Sequence, residues 1–255
     1  MNCSNGIFVR RLVKNFKLDK PILLMGLPGM GMVGKMTVAY LIEELLAEEV
    51  IRIYSSYFPA ISFLDKGGLG RLTRCELYAA NDTKPNFLLF TGDCQPLSCG
   101  MVQVMSTVLD IAQENNVDTV ITIGGLRSQN GPDVAAFVFS EEDATFLEQH
   151  EVEMLSSGQV TGAVGVMTAL AAERDIKAFG LLGRLYSDAP VDPAAAQNVL
   201  KRLIKLYKGL ETSLDLDKFV DMIEEAQEKE IIREKLVESI REKTGEEERS
   251  SCYFI

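Results

Sequence analysis

A chain of 255 residues with 47% hydrophobic and 25% charged side chains carries enough apolar surface for a real core. The 37 acidic residues exceed the 26 basic ones, and the net charge of -11 repels a phosphate backbone, which argues against a nucleic-acid partner. No stretch reaches the ~18 uninterrupted apolar residues of a membrane span, and the opening MNCSNGIFVRRLVKNF lacks a leader's apolar run and cleavage site, so a cytoplasmic protein that engages no membrane is expected.

In chain order, Ile22 to Gly26, Val50 to Ser55, Leu72 to Ala79, Phe87 to Thr91, Thr119 to Gly124, Ala136 to Ser140 and Ala178 to Leu182 read as strands. Helical periodicity marks Val33 to Ala47, Cys99 to Asn115, Val164 to Glu173 and Pro193 to Lys208. This alternation predicts an α/β protein with helices on both faces of a sheet. Leu72 to Ala79 follows the turn KGGLG with no helix between, so the sheet is expected to be mixed, with an antiparallel part. Ser140 followed by Glu141, Glu142 and Asp143 has the look of a capped helix start. Residues 1–209 are thus read as one α/β/α domain.

Residues 211–249 hold fourteen acids and seven bases, giving -7 of the chain's -11, with no proline and only Gly245. Leu216, Phe219, Val220, Ile223, Ala226, Ile232, Leu236 and Ile240 recur at three- and four-residue spacing, which predicts an acidic amphipathic helical segment over 210–245. Such a stripe must pack on its own subunit or a neighbour. The hydrophilic TGEEERSS then leads to Tyr253, Phe254 and Ile255, so residues 246–255 are read as a flexible tail.

Several motifs border on chemistry. Gly29, Gly31 and Gly34 have the dinucleotide G-x-G-x-x-G spacing after a strand, yet IRIYSSYF, about 20 residues on, supplies no acid for a ribose hydroxyl. Gly29, Gly34 and Lys35 fit G-x-x-x-x-G-K, but Met36 stands where a P-loop needs the magnesium-binding hydroxyl. The glycines are better explained by a tight turn and close helix–strand packing. At the exit of a strand, Gly124, Gly125, Arg127 and Asn130 could form an anion-friendly lip. His150, the sole histidine, lies in a polar run and reads as a solvated surface residue, and no nucleophile elbow accompanies it. No catalytic triad can be assembled, so no catalytic residue, cofactor or metal is assigned. Cys3, Cys75, Cys94, Cys99 and Cys252 are odd in number and scattered, the pattern of reduced thiols.

The segments Gly26 to Gly34 (with Pro28, Gly29 and Gly31), Gly124-Gly125-Leu126 and Thr161-Gly162-Ala163 resemble archaeal proteins of the proteasome-assembly-chaperone family, over roughly Pro21 to Tyr207. The resemblance implies a three-layer α/β/α fold like that of nucleoside phosphorylases, and no shared enzymatic activity. It also implies that Tyr253-Phe254-Ile255 resembles the hydrophobic-tyrosine-any tail with which such proteins dock into pockets of the proteasome α-ring. A terminal carboxylate can pair with a lysine while an aromatic ring anchors beside it. Phe254 stands in the tyrosine's place, so one hydrogen bond, on the order of 1 kcal/mol, is missing. One tail binds weakly and several on one particle bind better, so a homo-oligomer, trimer or tetramer, is expected. The expected function is therefore a proteasome assembly chaperone or activator whose partner is the core particle's α-ring. The alternative is a phosphorylase-like or ATP-grasp-like enzyme that holds a nucleoside or nucleotide on the Gly-rich loop, and a scaffold for other partners is a third.

Overall fold

Runs such as ILLM at 22–25 and FLLFTG at 87–92 are apolar on both faces, a pattern that belongs to strands covered by helices on either side. In the computed structural model of the chain both are buried throughout. The structure describes residues 2–4, 6–14, 16–64, 67–187, 189–210, 214, 218–219 and 221–222. The chain divides into two units, Met1–Leu214 and Asp215–Ile255. In the second, the described Lys218, Phe219, Asp221 and Met222 are helical. The rest of the predicted 216–240 stripe, together with Tyr253, Phe254 and Ile255, lies outside the described residues.

The first unit contains the strands β1 (Asn2–Ser4), β2 (Ile7–Arg11), β3 (Ile22–Met25), β4 (Glu48–Ser55), β5 (Ser62–Leu64), β6 (Gly70–Leu72), β7 (Cys75–Ala80), β8 (Phe87–Gly92), β9 (Thr119–Leu126), β10 (Val134–Val138), β11 (Glu153–Met154) and β12 (Lys177–Arg184). Its helices are α1 (Val33–Glu44), α2 (Met101–Glu114), α3 (Glu141–Gln149), α4 (Gly162–Ala172) and α5 (Pro193–Leu206). Ten strands form one sheet in the order β1-β2-β4-β7-β8-β3-β9-β12-β10-β11, while β5 and β6 pair only with each other.

The central strands β8, β3, β9 and β12 run parallel, and antiparallel pairs flank them on both sides. The sheet is therefore mixed, as expected. Helices α2 and α4 pack together on one face, over Leu23, Met25, Leu88, Phe90 and Val120. Helices α1 and α5 pack together on the other, completing an α/β/α sandwich.

Three local departures from expectation have physical causes. The run Leu72 to Ala79 is two strands, because Thr73 turns to Ile61, its N–H and hydroxyl both donating to that carbonyl, while the Arg74 N–H donates to Asp93. Helix α1 stops at Glu44 rather than Ala47: the Ala47 N–H reaches back to the Ile42 carbonyl at 3.0 Å around Leu46, whose φ is 48°. That is a left-handed helix stop made by leucine where glycine is usual. The N-terminal hairpin of β1 and β2 was not anticipated, and it extends the sheet through pairing of β2 with β4.

Candidate functional site

Because β3, β8, β9 and β12 are parallel, their C-terminal ends share one edge of the sheet, where α/β proteins usually bind ligands. The Gly-rich loop lies there between β3 and α1. A Cβ on Gly26 would meet the Gly34 carbonyl, one on Gly34 the Ile123 carbonyl, and one on Gly125 the Met30 carbonyl, each inside 3.0 Å. Backbone has no soft end to move aside, so only glycine lets α1 and the loop lie this close to β3 and β9. Gly31 and Met32 both take left-handed conformations, with φ of 60° and 52°, to carry the chain into the helix.

Two polar residues pin this loop, Gln95 through its side chain and Asp192 through its backbone. Gln95 Nε2 donates to the Pro28 carbonyl at 2.8 Å, and its Oε1 accepts from the Ala163 N–H at 3.0 Å, at the start of α4. The Asp192 N–H donates to the Gly31 carbonyl at 2.9 Å. The buried Asp192 carboxylate accepts from Ala195 N at 3.0 Å, capping α5, and from Tyr186 N at 2.6 Å. The three segments that carry the family resemblance thus meet in one packed knot, with Gly162 against Gln95 and Gly124 under Val164.

Lys35, which a phosphate site would aim outward, points into the protein. Its ammonium donates to Thr91 Oγ1 at 3.2 Å, and that hydroxyl donates to the Gly26 carbonyl at 2.8 Å. Burial lowers the Lys35 pKa, opposed by the fields of Glu76, Asp93 and Cys75. Burial pushes the nearby Asp93 carboxyl up, but hydrogen bonds from Arg71 and from the Arg74 N–H outweigh it and hold the pKa below its ordinary value. Within the loop the Gly26, Met32 and Val33 N–H groups donate to Phe90, Gly29 and Met30 carbonyls. A phosphate cradle needs such groups turned to the ligand.

The proposed lip is split. Gly124 and Gly125 are packed within β9, while Arg127 and Asn130 sit at exposed positions of the following loop. His150 is half-buried rather than solvated: its Nδ1 lies 2.8 Å from the Phe146 carbonyl and its ring 4.6 Å from the Phe146 ring. Among the described side chains Cys75, Cys94 and Cys99 are free thiols, buried, half-buried and exposed in that order. Among the described residues no helix is long and apolar enough to cross a membrane. Gln95 gave no sequence signal because its partners lie 67 and 68 residues away. Asp192, by contrast, precedes Pro193 in the N-cap and N1 pattern, which was there to be read.

An α/β/α sandwich whose signature glycines knot the C-terminal edge of a mixed sheet is the class that this geometry defines. The PAC2 family model matches residues 23–236, and the chain belongs to that family. Its structure is similar to that of Pyrococcus furiosus PbaB, an archaeal proteasome activator, with 26% identity, a TM-score of 0.77, and coverage of 91% of this chain and 99% of that one. It shares the fold of P. furiosus PbaA, an archaeal homolog of proteasome-assembly chaperone, at 23% identity and a TM-score of 0.73, covering 92% and 99% of the two chains. An uncharacterised protein of Methanocaldococcus jannaschii is 27% identical over 234 residues, 86% of this chain and 90% of that one.

Proposed function

We propose that this protein is a non-catalytic cytoplasmic proteasome chaperone or activator that docks on the core particle's α-ring through Tyr253, Phe254 and Ile255. The observation that carries the proposal is the likeness to PbaB over nearly the whole of both chains. The α/β/α body serves as a scaffold, the acidic segment 210–245 connects it to the tail, and the tail of residues 246–255 makes the contact. A free carboxylate and an aromatic ring on a charged leader have the chemistry for a pocket with a lysine at its rim. A homo-oligomer would present several tails at neighbouring pockets and raise their effective concentration.

The phosphorylase-like or ATP-grasp-like alternative is not favoured. Lys35 is spent on Thr91, and Gly26, Gly34 and Gly125 are taken up by backbone packing. A pull-down with core particles tests the proposal: the full chain should be retained, and deletion of the last three residues should abolish retention. Equal retention of both forms would refute it.

A further inference from the structure

An open cleft of about 400 Å³ lies where β4 gives way to the β5–β6 hairpin, lined by Tyr54, Phe58, Pro59, Ile61, Leu72 and Thr73. Its walls are mostly aromatic and aliphatic, the lining of a site that takes a large apolar group. Tyr54 joins this cleft to a cation. It stands opposite Phe8 in the β2–β4 ladder, and the two half-buried rings stack with centroids 5.8 Å apart. Arg10 follows Phe8 by two residues on β2, so it shares that face and lies about 7 Å further along the strand.

The ladder partner of Arg10 is a second arginine, Arg52. Like charges directly opposite each other weaken a strand pair. Arg52 is neutralised by Glu49, to whose two carboxylate oxygens it donates at 2.5 and 2.6 Å. Arg11, Arg71 and Arg74 hold Glu114, Asp93 and Glu76 in the same way. Arg10 is exposed and pairs with no acid among the described residues, in a chain where 37 acids face 26 bases.

We propose that the cleft and Arg10 form one binding site for an extended peptide that carries a large apolar residue and, two residues away, an aspartate or glutamate. The apolar side chain enters the cleft beside Tyr54, and the carboxylate meets the free guanidinium, whose parallel N–H donors match it. The spacing is set by the strand: residues two apart in an extended chain lie about 7 Å apart on one side, the same offset that separates the level of Tyr54 from that of Arg10. Charge limits the ligand further. A body of net charge -11 repels a run of acids, whereas a single carboxylate beside one unpaired guanidinium is admitted. A fatty acid has the same two groups, but an acyl chain laid in an open cleft keeps much of its length in water. Neither the α-ring nor the chain end takes part, so this inference and the proposed function fail separately.

Fluorescence anisotropy of the full chain with the rhodamine-labelled peptide Gly-Asp-Ser-Phe-Ser-Asp-Gly amide, which offers the acid in either chain direction, should show saturable binding with a Kd below about 1 mM. Replacing both aspartates of the peptide by asparagine should weaken binding about fivefold or more. In Arg10→Gln that difference between the peptides should vanish, the signature of a direct pair. Leu72→Asp, at a wall residue that is 63% exposed, should weaken both peptides, while Lys14→Gln, at another exposed cation, should change neither. Unchanged melting temperatures show that the variants keep the fold. Failure of the wild type to bind overturns the inference, as does equal binding of the two peptides, which needs no variant to establish. A preference for aspartate that survives Arg10→Gln overturns it too. So does decanoate that binds more tightly than the peptide and depends on Arg10, since the site then takes a lipid acid.

Discussion

Gly34→Ala probes directly whether the signature glycines pack or bind. A methyl at this position would lie against the Ile123 carbonyl inside 3.0 Å, with the Gly26 Cα 3.2 Å away. Neither is a side chain that can swing aside. Alanine in the first turn of α1 would gain up to ~1 kcal/mol of helix propensity, whereas overpacking against fixed backbone costs about 1–3 kcal/mol or more. The clash wins, and a net loss of ~2 kcal/mol lowers the melting temperature by about 4–8 °C for a domain of this size. Gly29→Ala is the matched control: its φ of -172° is open to any residue, and the nearest atom, 3.2 Å off, is the end of the Gln95 side chain. Its melting temperature should move by less than a third as much. Differential scanning fluorimetry reads both, with and without millimolar ATP, NAD or nucleoside. A ligand held by the native loop would raise the wild-type midpoint, and no such rise is expected. A Gly34→Ala protein as stable as the wild type, or a nucleotide-dependent rise lost in that variant, would refute the packing account.

Four further outcomes follow from the same structure. Gln95→Ala strands the Pro28 carbonyl and the Ala163 N–H; it should cost ~2 kcal/mol and speed amide exchange in the 26–32 loop, measured by mass spectrometry. Leu46→Gly relieves a left-handed leucine that is 90% exposed and should raise stability by about 1 kcal/mol in urea melts. Since burial holds the Lys35 pKa below its ordinary 10.5 in the folded state, the unfolded chain binds more protons between those two values, and this group makes stability rise with pH across that window; the difference between wild-type and Lys35→Met melts should close towards pH 10.5. In a Cys3→Ser/Cys252→Ser background, iodoacetamide should alkylate exposed Cys99 well before Cys94, whose thiol burial pushes up to about 12, or buried Cys75.

Much of the fold was legible because buried parallel strands and amphipathic helices write their periods locally. β3, β8, β9 and β12 appear as apolar runs, and α2 and α5 begin and end within two residues of their expected bounds. What escaped was mostly set by distant partners. The change of sheet at Thr73 and Arg74 depends on Ile61 and Asp93; the stop of α1 at Glu44 is local instead, made by a left-handed Leu46 that no propensity favours. The candidate site divided in the same way. Glycine spacing marked the loop, but the same spacing serves a phosphate or a close-packed helix, and only the Ile123 and Met30 carbonyls beneath Gly34 and Gly125 favour the second. The inward course of Lys35 and the bridge through Gln95 join residues more than fifty positions apart, and local pattern carries no record of them.

The most direct test of the proposed function is the affinity of the chain end for the α-ring, measured by surface plasmon resonance on immobilised core particles with the full chain, a form ending at Cys252, and Phe254→Tyr. Removing the last three residues should abolish specific binding, and restoring the tyrosine hydroxyl should tighten it about fivefold, the equivalent of one added hydrogen bond of ~1 kcal/mol. Binding of the shortened chain as tight as that of the full one would contradict the account.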